Sequence, residues 1–256
     1  MSCALRRFLT LLLLVSLGHG PASADSTVAS ADAAGAGSDE QRLVIVFASA
    51  NEGEPVFRMA ENLLAELGRR MAVKIELISL PVERGAHSLE NGRIDAELSR
   101  ILEFGKTRPE LIRVEETIAR VAYHAYATKP YTDLNGWNSL KPYRIVHRMG
   151  LQFVKEYLGE MNVQAVNSTE AGLAFMLRDR ADVYIETPPL VEPLLQTHPE
   201  FSEIRRIDPA IAWFDTYTYF APDHTVMAER YLQALRSMKV DGSYQKLMQL
   251  PQEPQP

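Results

Sequence analysis

The chain has 256 residues, of which 27 are lysine or arginine and 33 are aspartate or glutamate, so its formal net charge is −6. This acidic balance argues against nucleic acid or an anionic lipid surface as the main partner. The only cysteine is Cys3, so the rest of the chain offers no thiolate for a nucleophile, a disulfide or a metal site.

The first residues have the pattern of an export signal. Arg6 and Arg7 precede a short apolar run over 8–17, and Ala22-Ser23-Ala24 is a cleavage pattern of small residues. The apolar run is about half of the roughly 20 residues that a membrane-spanning helix needs, which argues against an uncleaved anchor. We therefore expect a signal peptide over 1–24, export to the periplasm and a charge of about −8 after cleavage.

The next segment, 25–41, is rich in Ala, Ser, Gly and Asp and is predicted to be a flexible leader. Alternating strand and helix patterns then begin abruptly. The predicted elements are a fully buried strand over 43–48, a helix over 56–67, a strand over 73–77, a helix that begins at Pro81 and ends near Asn91, and a strand over 94–98. This order predicts a parallel sheet with right-handed crossovers.

A β-prone stretch over 112–128 separates this part from a second α/β unit. The predicted elements of that unit are a strand over 143–147, a helix over 153–158, a strand over 163–166, a helix capped by Asn167, a strand over 182–186, a helix after Pro188 and a strand over 204–207. The aromatic, extended segment 212–220 then reads as a return crossing, and helices over 227–235 and 242–250 follow.

These patterns predict an α/β protein with two lobes, whose parallel or mixed sheets are joined by a hinge of two crossing segments. Lobe one would be 42–128 plus 220–250, lobe two would be 129–219, and 251–256 would be a frayed tail. A chain that leaves a lobe and later returns is suited to closure about a cleft. We expect the protein to act as a monomer.

The strongest candidate site residues follow predicted strands, because ligands of open α/β sheets bind beyond the carboxyl ends of the strands. Arg100 from lobe one and Arg148 from lobe two could grip a carboxylate, since a guanidinium donates two parallel hydrogen bonds. Glu97 or Glu186 could meet a cationic group of the ligand. The alternative is that Arg100 pairs with Glu97 as a purely structural contact.

Four further residues are weaker candidates for the same site. Gly150 precedes a predicted helix and could add backbone donors next to Arg148. Arg84 and Asn51 could line the rim of the cleft, although both are also typical of solvated surface positions. Tyr126 could stack on a ligand, although aromatic residues near a hinge more often serve packing.

Catalytic motifs are absent from the sequence. The histidines after the signal peptide are dispersed without metal-ligand spacing, and no nucleophile elbow or dinucleotide fingerprint occurs. We therefore expect a binding protein with no enzymatic activity, no cofactor and no metal ion.

Several phrases resemble bacterial solute-binding protein family 3, in a divergent branch. They are Leu80-Pro81-Val82-Glu83-Arg84, the run from Asn91 to Arg100, the strand and turn from Tyr143 to Gly150, the run from Gly172 to Asp182, and the end from Leu235 to Leu247. The family's usual arginine phrase before the hinge is not intact in the stretch from Glu116 to Tyr123. That departure weakens the expectation of an α-amino acid ligand more than the expectation of the fold.

This resemblance implies a type II periplasmic-binding fold and capture of a small polar, carboxylate-bearing, amino-acid-like molecule. The implied partner is an inner-membrane permease of an ABC-type transporter or a membrane sensor. Two alternatives stay open. One is a dehydratase-like enzyme that uses Glu97, Glu186 or His147 as a general acid or base. The other is an interaction module that binds no ligand.

Overall fold

The computed structural model describes residues 42–48, 50–151 and 153–248. The predicted signal peptide, leader and tail lie outside these residues. In the described ranges the chain forms nine strands: β1 (Arg42–Val46), β2 (Lys74–Ile78), β3 (Ala96–Ile101), β4 (Ile112–Arg113), β5 (Ala119–Ala127), β6 (Ile145–Arg148), β7 (Val163–Val166), β8 (Val183–Glu186) and β9 (Arg205–Phe220).

Seven α-helices accompany these strands in the same ranges: α1 (Pro55–Met71), α2 (Val82–Glu90), α3 (Leu102–Lys106), α4 (Thr169–Leu177), α5 (Pro188–Thr197), α6 (Thr225–Asp241) and α7 (Ser243–Leu247). Shorter turns of 3-10 helix lie at Trp137–Leu140, Pro199–Phe201 and Pro222–His224, and a π-helix lies at Val154–Leu158. None of the helices in the described part of the chain combines the length and the apolarity that a membrane crossing requires.

The first part of the chain forms the predicted parallel β-α-β-α-β unit, which we call lobe one together with β4, α3, α6 and α7. Strand β1 lies between β2 and β3 and is parallel to both. Its inward residue Ile45 joins the apolar face of α1, where Leu63, Leu64 and Leu67 are buried, and Tyr231 of α6 closes the same cluster. Burial of each such aliphatic side chain stabilises the fold by about 1.5–3 kcal/mol.

Strands β6, β7 and β8 form a second parallel unit, which we call lobe two together with α4 and α5. Strand β6 lies between β7 and β8, and Leu173 of α4 packs with Val146 and Tyr184. The predicted cap of α4 at Asn167 is wrong by one residue, because Ser168 is the cap and its hydroxyl accepts from the backbone N–H of Ala171 at 3.1 Å.

Strands β5 and β9 connect the two lobes. They pair antiparallel with each other over most of their length, β9 also pairs with β3 of lobe one, and β5 also pairs with β8 of lobe two. The predicted short strand over 204–207 and the return crossing over 212–220 are therefore one strand of 16 residues.

The sheet order is β2-β1-β3-β9-β5-β8-β6-β7, with β4 paired to β9 at the side. The α/β class and two-lobed architecture are as predicted, but the two expected sheets are continuous because the crossing segments are themselves hydrogen-bonded strands. The lobe limits at 128 and 220 remain predictions, since β5 and β9 pair with both lobes and no single residue marks the border.

Candidate functional site

A β-bulge places Glu97 and Arg100 on the same side of β3. Glu97 is opposite Tyr219 of β9 and Arg100 is opposite Tyr217, so two residues of β3 face one residue of β9. Ser99 takes up the extra length with a left-handed backbone at φ 60°. Without the bulge, residues three apart in a strand would point to opposite faces.

The carboxylate of Glu97 accepts two hydrogen bonds from Arg100, at 3.0 Å from Nε and 2.7 Å from Nη2. Nη2 also donates to the backbone carbonyl oxygen of Val82 at 3.3 Å, at the start of α2. The guanidinium lies 4.6 Å from the centre of the Phe104 ring. Glu97 is fully buried and Arg100 is 5% exposed, so this bidentate pair lies almost entirely out of water.

Gly85 of α2 allows the helix to lie directly against the Glu97 carboxylate. A Cβ atom at this position would sit 2.4 Å from Oε1 of Glu97, which is much closer than van der Waals contact. Burial raises the pKa of the Glu97 carboxyl, and the opposing effect of the Arg100 charge and hydrogen bonds is smaller. Glu97 therefore holds a proton more readily than a glutamate in water does.

A second buried ion pair lies in lobe two, where β6 and β8 end side by side. Nε of Arg148 donates to Oε2 of Glu186 at 2.9 Å, and Oε1 of Glu186 accepts from the backbone N–H of Thr187 at 2.9 Å. Glu186 is fully buried and the side chain of Arg148 is 14% exposed. Burial lowers the pKa of Arg148, but the charge and hydrogen bond of Glu186 outweigh it and raise the pKa, so Arg148 stays charged.

The phenol of Tyr123 on β5 connects the two pairs electrostatically. Its pKa is raised by burial first and by the charge of Glu186 second, while the charges of Arg148 and Arg100 lower it. Charged groups from both lobes therefore act on one buried hydroxyl on a crossing strand. The Tyr123 ring is held by edge-to-face contacts with two other rings. Its centre lies 4.6 Å from the ring centre of Phe153 and 5.8 Å from that of a phenylalanine on β9.

The two lobes touch next to these pairs, at Val82 and Gly150. A Cβ atom on Gly150 would sit 2.4 Å from a methyl carbon of Val82, so the valine side chain rests on the glycine backbone. A helical segment follows Gly150 as predicted, but it is a π-helix of five residues, Val154–Leu158, instead of an α-helix.

His147 lies beside Arg148 at the end of β6 and is 7% exposed. Its Nδ1 is 2.8 Å from the backbone carbonyl oxygen of Arg148, which makes Nδ1 the protonated nitrogen of the neutral ring. Burial lowers the pKa of the imidazole, against smaller opposing effects of this hydrogen bond and of the Glu186 charge. A neutral His147 is compatible with the role of proton acceptor that the sequence suggested for an enzyme.

Three of the predicted site residues do not join this group. Arg84 is an exposed residue on α2. Asn51 is exposed and its side-chain amide donates to Oε1 of Glu54 at 2.8 Å within its own loop. Tyr126 is fully buried in the apolar cluster under α4 and α5, so its ring is a core contact of lobe two.

Sequence reasoning overlooked Tyr123, Val82 and Ser99 as parts of the site. Tyr123 looks like an ordinary β-prone residue, and its role follows from the crossing of β5 between the lobes. Val82 was predicted only as part of a helix that begins at Pro81. For Ser99 the available signal was the spacing of Glu97 and Arg100, which can pair within one strand only if a bulge separates them.

In the described ranges, no cluster of three or more His, Cys, Asp or Glu side chains has an arrangement that could hold a metal ion. The site instead contains two arginines and two glutamates, so its formal charges cancel. This arrangement can form charge-assisted hydrogen bonds with a polar molecule that carries groups of both signs.

Comparison with known proteins is informative mainly for the fold. No family model matches the chain. An uncharacterized protein of Shewanella oneidensis is 27% identical over 205 residues, which is 75% of this chain and 75% of the relative.

Several solved structures align over most of their own length. The GluR0 ligand binding core in complex with L-glutamate has a TM-score of 0.69 at 9% identity and covers 82% of this chain and 97% of that chain. An ancestral arginine-binding protein bound to arginine has a TM-score of 0.65 at 16% identity, with 80% and 96% covered. A histidine kinase sensor domain with similarity to periplasmic binding proteins has a TM-score of 0.66 at 13% identity, with 82% and 95% covered.

Similarity at this level of identity concerns the backbone arrangement and not the ligand. The aligned structures share the two-lobed α/β architecture that the element order of this chain predicts. The chain therefore has the fold of the periplasmic binding proteins, and its predicted resemblance to solute-binding protein family 3 is confirmed at the level of the fold.

Proposed function

We propose that this chain is an exported solute-binding protein that captures a small polar, carboxylate-bearing, amino-acid-like metabolite between its lobes and releases it unchanged. The observation that carries this proposal is the placement of Arg100 and Arg148 beside the contact between Val82 and Gly150, with the charges of both arginines acting on the buried Tyr123. These residues come from both lobes and from a strand that crosses between them. A molecule held at this point would contact both lobes at once and so favour their closed arrangement.

The arginines retain donors for such a ligand. A guanidinium has five N–H groups. Among the described residues, Arg100 uses Nε and Nη2 in its bonds to Glu97 and Val82, which leaves Nη1 without a protein acceptor. Arg148 donates to Glu186 through Nε. A ligand carboxylate would accept from the remaining N–H groups, and an ammonium or hydroxyl group of the ligand would donate to Glu186 or Glu97.

The proposed setting is the periplasm, and the proposed partner is an inner-membrane permease or a membrane sensor. The signal-peptide pattern around Arg6 and Arg7 supports export. The similarity to a histidine kinase sensor domain supports a sensor, and the similarity to the substrate binding protein of an amino acid ABC transporter supports a permease. Neither class requires the protein to oligomerise, and we propose a monomer.

The first test is a thermal-shift screen of the exported form against free amino acids and small carboxylates. Binding to the folded state alone raises stability by about 2.7 kcal/mol at a ligand concentration of 100 times Kd, which a melting curve detects readily. If no compound in a broad set raises the melting temperature, the solute-binding proposal is wrong and the ligand-free interaction module replaces it.

Calorimetry with a paired variant then tests the site. The double variant Glu97→Gln/Arg100→Gln removes the buried pair without leaving an isolated charge. The matched control Arg113→Gln/Glu115→Gln removes a bidentate pair of the same chemistry whose two side chains are 31% and 62% exposed. We expect the first variant to lose ligand binding at least tenfold and the control to bind like the wild type. Equal binding by both variants would remove Arg100 from the site.

An enzymatic function on the same fold is the second candidate, because two features of the site suit proton transfer. The pKa of Glu97 is raised by burial and the pKa of His147 is lowered by burial, so the two pKa values lie closer together than those of a free glutamate and a free histidine. Mass analysis of the compound that raises the melting temperature, after incubation with the protein, decides between the two. Recovery of an altered compound favours the enzyme, and full recovery of the unchanged compound excludes it.

A further inference from the structure

The contact between Val82 and Gly150 is a direct contact between the lobes and depends on the absence of a side chain at residue 150. A Cβ atom on Gly150 would lie 2.4 Å from Cγ2, 2.6 Å from Cβ and 3.1 Å from Cγ1 of Val82. Rotation of the valine about χ1 moves the two methyl carbons but leaves its Cβ in place. No side-chain rearrangement of Val82 could therefore accommodate even an alanine at residue 150.

Both partners of this contact are tied to the arginines of the site. The backbone carbonyl oxygen of Val82 accepts from Nη2 of Arg100, and Gly150 follows Arg148 by two residues in the turn after β6. The contact consequently lies beside the two arginine side chains and fixes how closely their lobes approach. Any side chain at position 150, or a larger or smaller side chain at position 82, would change the width available to a ligand.

We propose that the Val82–Gly150 contact is the closure stop of the cleft and that it restricts the site to compact ligands, of the size of glycine or alanine. The restriction on ligand size rests on the proposed function, whereas the closure stop does not. The methyl groups of Val82 occupy the space between the start of α2 and the turn after β6. A ligand with a long side chain would have to separate Val82 from Gly150, and the closed arrangement would then lose this contact.

Gly53 provides a matched control for the backbone. It has φ 87°, almost the same as the 89° of Gly150, and a Cβ atom on it would have no neighbour within 4 Å. Gly53→Ala therefore introduces the strain of a left-handed alanine without a steric clash. Any effect of Gly150→Ala that Gly53→Ala does not share arises from the contact with Val82.

The experiment measures the separation of the lobes by double electron–electron resonance between two spin labels. The only native cysteine is Cys3, in the predicted signal peptide, so labels at Glu83→Cys in lobe one and Glu160→Cys in lobe two are specific. Both positions are exposed. Gly150→Ala should lengthen the mean distance by at least about 1 Å, because the clashing carbons must separate to roughly 3.5 Å. Gly53→Ala should match the parent, and Gly150→Ala/Val82→Gly should return to it.

A distance in Gly150→Ala that equals the distance in Gly53→Ala would overturn the closure stop, as would a failure of Val82→Gly to restore the parent distance. These readouts need no ligand, so they remain decisive even if the proposed function fails.

Ligand size is tested separately by calorimetry with glycine, L-alanine, L-glutamine and L-arginine. In the parent we expect glycine or L-alanine to bind more tightly than L-glutamine or L-arginine. Val82→Ala removes two methyl groups and should raise the affinity for L-glutamine relative to glycine by about tenfold or more. An unchanged ratio would overturn the size restriction. If none of the four binds the parent, the restriction to amino acids of the size of glycine or alanine is wrong, while the distance measurements still decide the closure stop.

Discussion

Removal of one member of the buried pair of Glu97 and Arg100 should strongly destabilise lobe one, because the other charge is then left unpaired. Arg100→Gln leaves a fully buried carboxylate without its bidentate partner. Loss of one member of a buried pair costs about 3–5 kcal/mol. With a urea m-value of about 2 kcal/mol per M, a loss of this size lowers the unfolding midpoint by about 1.5 M or more.

The pair of Arg113 and Glu115 provides a reference for this expectation, because it has the same bidentate chemistry but is partly exposed to water. Arg113→Gln should cost no more than about 1 kcal/mol. The double variant Glu97→Gln/Arg100→Gln should lie within about 2 kcal/mol of the wild type, since it contains no isolated buried charge. The assay is equilibrium urea unfolding followed by circular dichroism.

The pH dependence of the stability lost in Arg100→Gln gives an independent check. Burial raises the pKa of Glu97 above the ordinary 4.5. In Arg100→Gln, protonation of the unpaired Glu97 carboxyl therefore reduces the destabilisation as the pH falls from neutral towards 4.5. The gap in unfolding free energy between wild type and Arg100→Gln should therefore narrow on acidification and widen as the pH rises. The reasoning is refuted if Arg100→Gln costs no more than Arg113→Gln, or if the gap is independent of pH.

Three further predictions concern other parts of the fold. The carboxyl of Glu66 should titrate near its lowered pKa of about 2, because Arg69 and a second arginine donate hydrogen bonds to it. Its contribution to stability is therefore present above pH 4.5 and is lost towards pH 2, and carbon-detected NMR titration measures the pKa. Tyr231→Phe removes the acceptor of a buried threonine hydroxyl and should cost about 1–2 kcal/mol in urea unfolding. Gly172→Ala should also destabilise, by about 1–3 kcal/mol, because the added Cβ would lie 2.6 Å from the Tyr184 ring.

Each of these has a clear contrary result. A Glu66 pKa near 4.5 would mean that its contacts with arginine do not persist in solution. An unchanged stability of Tyr231→Phe would mean that water replaces the lost acceptor. Gly172→Ala gives the clearest test, because its expected loss of stability is opposite in sign to the gain of about 1 kcal/mol that alanine normally brings to a helix over glycine. A gain in stability for Gly172→Ala would show that the ring of Tyr184 moves freely.

The order of strands and helices could be predicted because it is written locally in apolar periodicity. Strand β7 occupies Val163–Val166 as predicted, and helix α5 begins at Pro188 where the two prolines mark a start. Buried runs such as the one around Ile45 also identified parallel strands correctly. These signals need only neighbouring residues, so no knowledge of the tertiary fold was necessary.

The geometry of the candidate site could be predicted only in part. Positions after strands pointed to Arg100, Arg148, Glu97 and Glu186, which the structure arranges as two buried pairs. The residue type at the bulge that makes the first pair gives no signal, because Ser99 carries a left-handed backbone that usually indicates glycine, and only the spacing of Glu97 and Arg100 points to it. It is imposed by the register with β9, a strand more than a hundred residues away along the chain.

Tyr126 illustrates the opposite error. It has the same aromatic character as Tyr123 and lies three residues further along β5, but the two side chains belong to different clusters. Composition cannot distinguish them. The distinction depends on which neighbours β5 has at each point, because it borders β9 throughout and β8 only over its second half.

Strand β9 has a consequence for how the molecule unfolds. It extends over roughly 50 Å and supplies hydrogen-bonding partners to β3 and β4 at one end and to β5 along the rest. The apolar core of neither lobe can unfold without breaking the hydrogen bonds that one end of β9 makes to its neighbouring strands. We therefore expect heat to unfold both lobes in a single cooperative transition, with equal calorimetric and van't Hoff enthalpies.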